Sequence, residues 1–245
     1  MTVERRGLLI PVVFLLGSLA VLLSLGTWQL GRKAWKEALI ATLTERAAAA
    51  PVELPPAEQG AGLTPENSEF RRVKLHADFR GDSALVYTSG SALRDDVKSP
   101  GYFVFTAGRL AGGQRVVVNR GYAKDRSSAA VAGPQEIVGA LRWPEPSPFF
   151  VTDYDASADV WHVRDHRLMA RRRGWGEVAP FYIEQEAPVP PSGVPHPAPL
   201  RVNLPNHHLQ YALTWYGLAL VLVGVFAAWV LQRRRAGEAD GGVSP

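Results

Sequence analysis

"LPNHHLQYALTWYGLALVLVGVFAAWVL", residues 204–231, decides the architecture, because two adjacent histidines stand at the mouth of a long apolar run. From Leu209 to Leu231 there is no Asp, Glu, Lys or Arg. About 20 such residues, rising about 1.5 Å each in a helix, cross the ~30 Å hydrocarbon layer of a bilayer. Counting back from Leu231, a span of about 20 residues places Ala212 at the outer edge of the hydrocarbon. His208 then lies one turn above that edge, at the interface, and His207 beside it.

A second charge-free run, "GLLIPVVFLLGSLAVLLSLGTWQLG" at 7–31, matches the first in length. It exceeds the roughly 7–15 residue core of a secretory signal and no A-x-A-like site follows it, so an uncleaved anchor is expected. Arg5 and Arg6 precede this span, and Arg233, Arg234 and Arg235 follow the other. Positive flanks stay inside, so both tails are expected in the cytoplasm and the middle in the periplasm of a cell inner membrane. Arg32, Lys33 and Lys36 oppose this, but long segments translocate largely regardless of charge.

Composition removes several functions. The 245 residues contain no cysteine and only Met1 and Met169, which leaves no thiolate for zinc, iron-sulfur or copper ligation and excludes a copper(I) chaperone. Much of the net charge of +4 is explicable by the arginines flanking the spans, so charge gives no independent reason to expect nucleic acid as a partner. No nucleophile elbow, phosphate loop or zincin helix is present, and an enzyme is not expected.

Between the spans the pattern changes. "RKAWKEALIATLTERAAAA" (32–50) has helix-favouring composition with Trp35, Leu39 and Leu43 at four-residue spacing, so the anchor helix is expected to continue into water. "PVELPPAEQGAGLTPEN" (51–67) breaks it and reads as an extended connector. From Glu69 the period is that of strands: "EFRRVKLHADF" and "ALVYTSG" are two candidates, and "YFVFTAGRLAGGQRVVVNRGY" is a pair around Gly112-Gly113. "QEIVGALRW" is another strand, ending at "PEPSP" (144–148); "WHVRDHRLMARR" is a short helix and "APFYIEQE" a closing strand. "APVPPSGVPHPAPLRVNLP" returns the chain to the membrane.

The fold class expected is membrane α plus β, two transmembrane helices flanking a β-rich extracytoplasmic domain, as an antiparallel barrel or a sandwich. The expected order is tail 1–6, span 7–31, helical extension and connector 32–68, β-rich domain 69–186, connector 187–206, span 207–231 and tail 232–245.

Four motifs invite chemistry. In "LGTWQLGRKAWK" (25–36), Trp28 and Trp35 read as aromatic-belt anchors and Arg32 and Lys33 as headgroup contacts, or else Gln29, Arg32 and Lys33 form a cationic site for the carboxylates of an amphiphile. His208 is either a polar residue behind an Asn206 cap or an axial ligand for haem iron, with Tyr211 and Trp215 on the same face or in the belt. Asn119-Arg120-Gly121 reads as a turn in which Gly121 takes positive φ. His162 and His166 have the i, i+4 spacing of a helical metal site, but with no third ligand nearby a solvated helix face is the expectation. "DYDASADV" (153–160) mimics a calcium loop, yet Ala158 replaces the turn glycine and Arg164 stands where the bidentate glutamate belongs.

In order, "LGTWQLGRKAWKEALI", "EFRRVKLHADF", "GYFVFTAGRL…VVVNRGY", "WHVRDHRLMA" and "LPNHHLQYALTWYGLAL" resemble the Surfeit locus 1 family of cytochrome c oxidase assembly factors, from Leu25 to about Leu220. The resemblance implies a two-span, non-enzymatic membrane chaperone of the respiratory chain. It would bind haem a and assist its insertion into subunit I of the oxidase, with haem a synthase as a further partner. It also implies that His208 is the candidate iron ligand, with His207 a second imidazole beside it, and Gln29, Arg32, Lys33, Trp28, Tyr211 and Trp215 around the group. The family pattern reads Asn-Asn-His before Leu-Gln-Tyr-Ala; here His207 takes the second position. Its strand motif continues with an aromatic, an aliphatic and proline, whereas Ala123 and Lys124 follow Tyr122 here.

Overall fold

The computed structural model describes residues 3–60, 62–126, 132–144 and 152–241. The chain falls into two compact units, one holding the long helices up to Leu39 and from Pro205, the other comprising Ile40–Leu204. The strand-ending residues 145–148, the extreme ends of both tails, and the side chains of Arg5 and Arg6 lie outside the described residues.

In chain order the elements are α1 Val3–Ala48, β1 Val52–Glu53, α2 Ala57–Gly60, α3 Pro65–Ser68, β2 Arg72–Thr88, β3 Gly101–Leu110, β4 Arg115–Ala123, β5 Ala132–Arg142, β6 Tyr154–Asp155, β7 Val160–Trp161, α4 His166–Arg173, β8 Tyr182–Ala187 and α5 His208–Gly241. Two stretches, Leu8–Ala48 and His208–Ala236, are helical, long and apolar enough to cross a membrane. The first connector is more structured than its prolines suggest. It contributes β1, parallel to the start of β2, and two single-turn helices.

The strands run β3-β4-β8-β5-β2, and β2 pairs again with β3, so the sheet closes into a five-stranded barrel. Closure removes the free edges that an open sheet would expose. The expected all-antiparallel arrangement is corrected at one seam of the barrel, where β8 runs parallel to β4, and at β2, which pairs in parallel with the short strands β1 and β7. A parallel pair requires a crossover, and β5 supplies it: antiparallel to β8, it carries the chain back from the end where β4 stops to the end where β8 starts, with β6, β7 and α4 inserted between β5 and β8.

Two further readings are corrected. The separate strand candidates at 69–79 and 84–90 are one strand, β2, with a bulge between Phe79 and Ser83. Asn119-Arg120-Gly121 is not a turn. Phe103 pairs with Tyr122 but Phe105 with Asn119, so β4 carries an extra residue against β3. Gly121 does take φ 121°, because a Cβ there would meet the His196 carbonyl at 2.3 Å. The second connector is thereby tied to the barrel: Tyr122 and His196 exchange backbone bonds, and Arg201 N–H donates to Leu93.

Two apolar clusters hold this unit. Val73, Leu75, Phe79, Val116, Val118, Ile137, Leu141 and Ile183 fill the interior. On the outer face α4 and β7 bring Met169, Ala170 and Trp161 onto Val86, Phe103, Phe105, Val117 and Tyr182. Val116 and Val118 thus belong to one core and Val117 to the other, which is why "VVV" is a continuous apolar run rather than an alternating one.

The local signals of α4 are clear. Asp165 caps it by accepting from Arg167 N and Leu168 N at 3.0 and 2.9 Å, and Gly174 ends it at φ 68°. His166 is its first residue, while His162 precedes the helix and lies edge-on to Tyr87. The expected solvated histidine face is therefore corrected: His166 is fully buried, with Nε2 donating to Ala179 O at 2.9 Å. Burial lowers its pKa to about 4. In the calcium-like loop, the Asp155 carboxylate is taken up by Ser157 and Ala158, and Asp159 by Arg173.

Candidate functional site

The two long helices meet through a narrow seam. Gly26 on α1 lies under Tyr216 of α5, where any Cβ would come within 2.7 Å of the ring. The Tyr216 hydroxyl shares a 3.1 Å hydrogen bond with Thr27 Oγ1. One α1 turn further along and two α5 turns back, Gln29 meets His208, so the helices are antiparallel. Ala212 and Ala219 are buried on the same face of α5. Small residues at such positions let helix backbones approach closely in lipid. The large apolar side chains point away: Ile10, Phe14 and Leu220 are each more than 70% exposed.

At the open end of the seam, His208 Nδ1 lies 2.8 Å from Gln29 Oε1. An amide oxygen accepts only, so the imidazole donates through Nδ1–H and carries its lone pair on Nε2. Nε2 has no hydrogen-bond partner among the described residues. A ring nitrogen held by a neighbour while the other is left basic is the arrangement that orients a metal-ligating histidine. Gln29 stands behind the imidazole, a relation that spacing could not reveal.

The neighbouring candidates divide. Arg32 lies over the Trp35 ring at 4.3 Å and has no hydrogen-bond or ion-pair partner among the described residues, so its five donors are available. Lys33 is bound to Glu37 at 2.7 Å, which neutralises much of its charge. Trp28 and Tyr211 are exposed, and Trp215 is half-buried. His207 is exposed and sits at the cap position of α5, its carbonyl accepting from Tyr211 N at 3.2 Å. Asn206 does not cap the helix, because its buried Oδ1 has no partner. Gly26, Thr27 and Tyr216 escaped the sequence reading; a glycine in an otherwise bulky span was the available signal.

Among the described residues no group of three or more His, Cys, Asp or Glu is placed to hold a bare metal ion. A single imidazole, held by Gln29 one α1 turn before the unpaired Arg32 guanidinium, suits instead a planar group that brings its own metal ligands.

The SURF1 family model matches residues 16–220. A SURF1-like protein of Monosiga brevicollis is 31% identical over 238 residues, covering 90% of this chain and 87% of that protein. Surfeit locus protein 1 of Rattus norvegicus is 32% identical over 224 residues, with 84% and 71% covered. Its counterpart from Homo sapiens is 31% identical over 214 residues, with 80% and 69% covered. With most of α1, the whole barrel sequence, the start of α5 and the Gln29 and His208 positions inside the matched range, the chain belongs to the SURF1 family.

Proposed function

We propose that this protein is a non-enzymatic cytochrome c oxidase biogenesis factor that holds haem a through His208 at the outer membrane edge and assists its insertion into subunit I. The observation that carries the reading is the 2.8 Å bond from His208 Nδ1 to Gln29 Oε1, which leaves Nε2 as a positioned base. Haem a, when bound, supplies an iron that takes an imidazole nitrogen and two propionates that take cations. His208 would hold the iron through Nε2, and Gln29, bonded to Nδ1, would fix its tautomer and ring plane. Arg32 is the favoured propionate partner, since its donors are free whereas Lys33 is engaged with Glu37. Tyr211 and Trp215, one and two turns along α5, flank the imidazole's helix face. The topology that goes with this function has both tails cytoplasmic and the barrel periplasmic in the inner membrane, with haem a synthase as donor partner.

The experiment is a pyridine haemochrome spectrum of the protein purified in mild detergent from a host that makes haem a. Wild type and His207→Ala are expected to retain the haem a signal and His208→Ala to lose it. Gln29→Leu is expected to bind about 10- to 100-fold more weakly in a haem titration, the usual cost of removing the group that orients a metal-binding histidine. A wild type without haem, while a control haem a protein keeps its own, would leave a cofactor-free scaffold for oxidase intermediates.

A further inference from the structure

Within the barrel unit, the outer face carries a charged cleft beyond the end of α4. Arg80 of β2, Arg109 of β3 and Arg115 of β4 line a cavity of about 260 Å³, closed at one side by Trp175. Arg109 and Arg115 are direct cross-strand partners, an arrangement in which like charges oppose folding. On the other side Asp78 is the partner of Arg109. The side chains of these three arginines and of Asp78 make no hydrogen bond or ion pair among the described residues.

The cleft's remaining charges are already used. Trp175 Nε1 donates to Asp82 at 2.7 Å, and Arg173 forks onto Asp159 at 2.9 and 2.8 Å. Three free guanidiniums therefore face one free carboxylate. Their planar donors suit carboxylates held two-fold, and the lone Asp78 suits a single N–H donor. The cavity lies below the roughly 300–1,000 Å³ of small-molecule sites, so one or two side chains fit and a cofactor does not.

We propose that this cleft is a docking site for an acidic peptide segment of a protein partner, its carboxylates on Arg109 and Arg115 and a backbone N–H on Asp78. An anionic lipid surface fits less well, because the arginines line a cavity sized for one or two side chains rather than a flat patch. Every residue of the cleft belongs to the barrel unit, and none is among the haem-binding candidates.

The test uses the full chain in detergent and a fluorescein-labelled hexaglutamate peptide, read by fluorescence anisotropy. Saturable binding that weakens with salt is expected. Arg109→Gln and Arg115→Gln should each weaken it about tenfold or more, the loss of a charge-assisted bond. Arg201→Gln, which removes an exposed pair with Asp95 outside the cleft, should leave it unchanged. The proposal is overturned by an absence of saturable binding or by equal losses in Arg109→Gln and Arg201→Gln. Phosphatidylglycerol vesicles that displace the peptide would overturn it too and assign the cleft to lipid.

Discussion

The barrel and the helix pair are stabilised by different means. Phe103, Phe105, Val116, Val117, Val118, Ile137 and Ile183 are wholly removed from solvent in the barrel, packed in two cores on either side of one sheet wall. In the helix pair the fully buried positions are small, as at Ala212, and the large side chains face outward. Burial from water stabilises the first region. It has little effect between helices in lipid, where close packing and a few hydrogen bonds remain. Changes in the barrel should therefore alter whether the protein folds, and changes in the seam whether the site is aligned.

The largest effect expected is from Phe105→Ala. Its ring lies 5.4 Å from that of Tyr182 in the outer core, and its removal should cost about 3–5 kcal/mol in chemical or thermal denaturation of the barrel. A cost below about 1 kcal/mol would break the comparison, since it would show an outer layer that contributes no packing.

Acid comes next. His166 ordinarily titrates at 6.5, but its folded value is about 4. Between these values the unfolded chain binds a proton that the folded chain refuses, so stability rises with pH through this window. It is complete above about pH 6.5 and falls by roughly 3 kcal/mol as the pH drops to about 4. Melting curves at pH 7 and pH 5 should show the loss, and His166→Gln should flatten it. The depressed carboxyls of Asp96 and Asp159, each held down by its hydrogen-bonded partner, add losses in the same direction at lower pH.

The smallest effect on stability should come from the seam. Gly26→Leu displaces the Tyr216 ring and its bond to Thr27, for which single interhelical bonds in lipid suggest a cost of about 1 kcal/mol in an SDS titration. Haem retention should nevertheless fall, because the Gln29–His208 pair is held by the same helix contact. A variant that lost several kcal/mol and kept its haem would invert the comparison.

Much of the molecule was legible because it is local. The spans are runs of uniform hydropathy, the β3–β4 hairpin surrounds Gly112-Gly113, and α4 has Asp165 before it and Gly174 after it. His208 stood out because imidazole is unusual at the mouth of an apolar helix. What escaped is non-local. The Asn119-Arg120-Gly121 stretch has turn chemistry, yet β3 and the His196 segment make it a bulge. His166 has the spacing of a surface pair, yet packing against Tyr182 and Ala179 buries it.

The sequence by itself determined two apolar helices, a β-rich middle, the absence of cysteine and the polar residues at the ends of the apolar runs, because each follows from composition or short-range period. Only the tertiary structure decided that the strands close into a barrel through a parallel β4–β8 pair. It alone joined Gln29 to His208 across 179 residues of chain. A hydrogen bond that selects one imidazole tautomer depends on ångström placement of two helices, and no spacing within either helix encodes that distance.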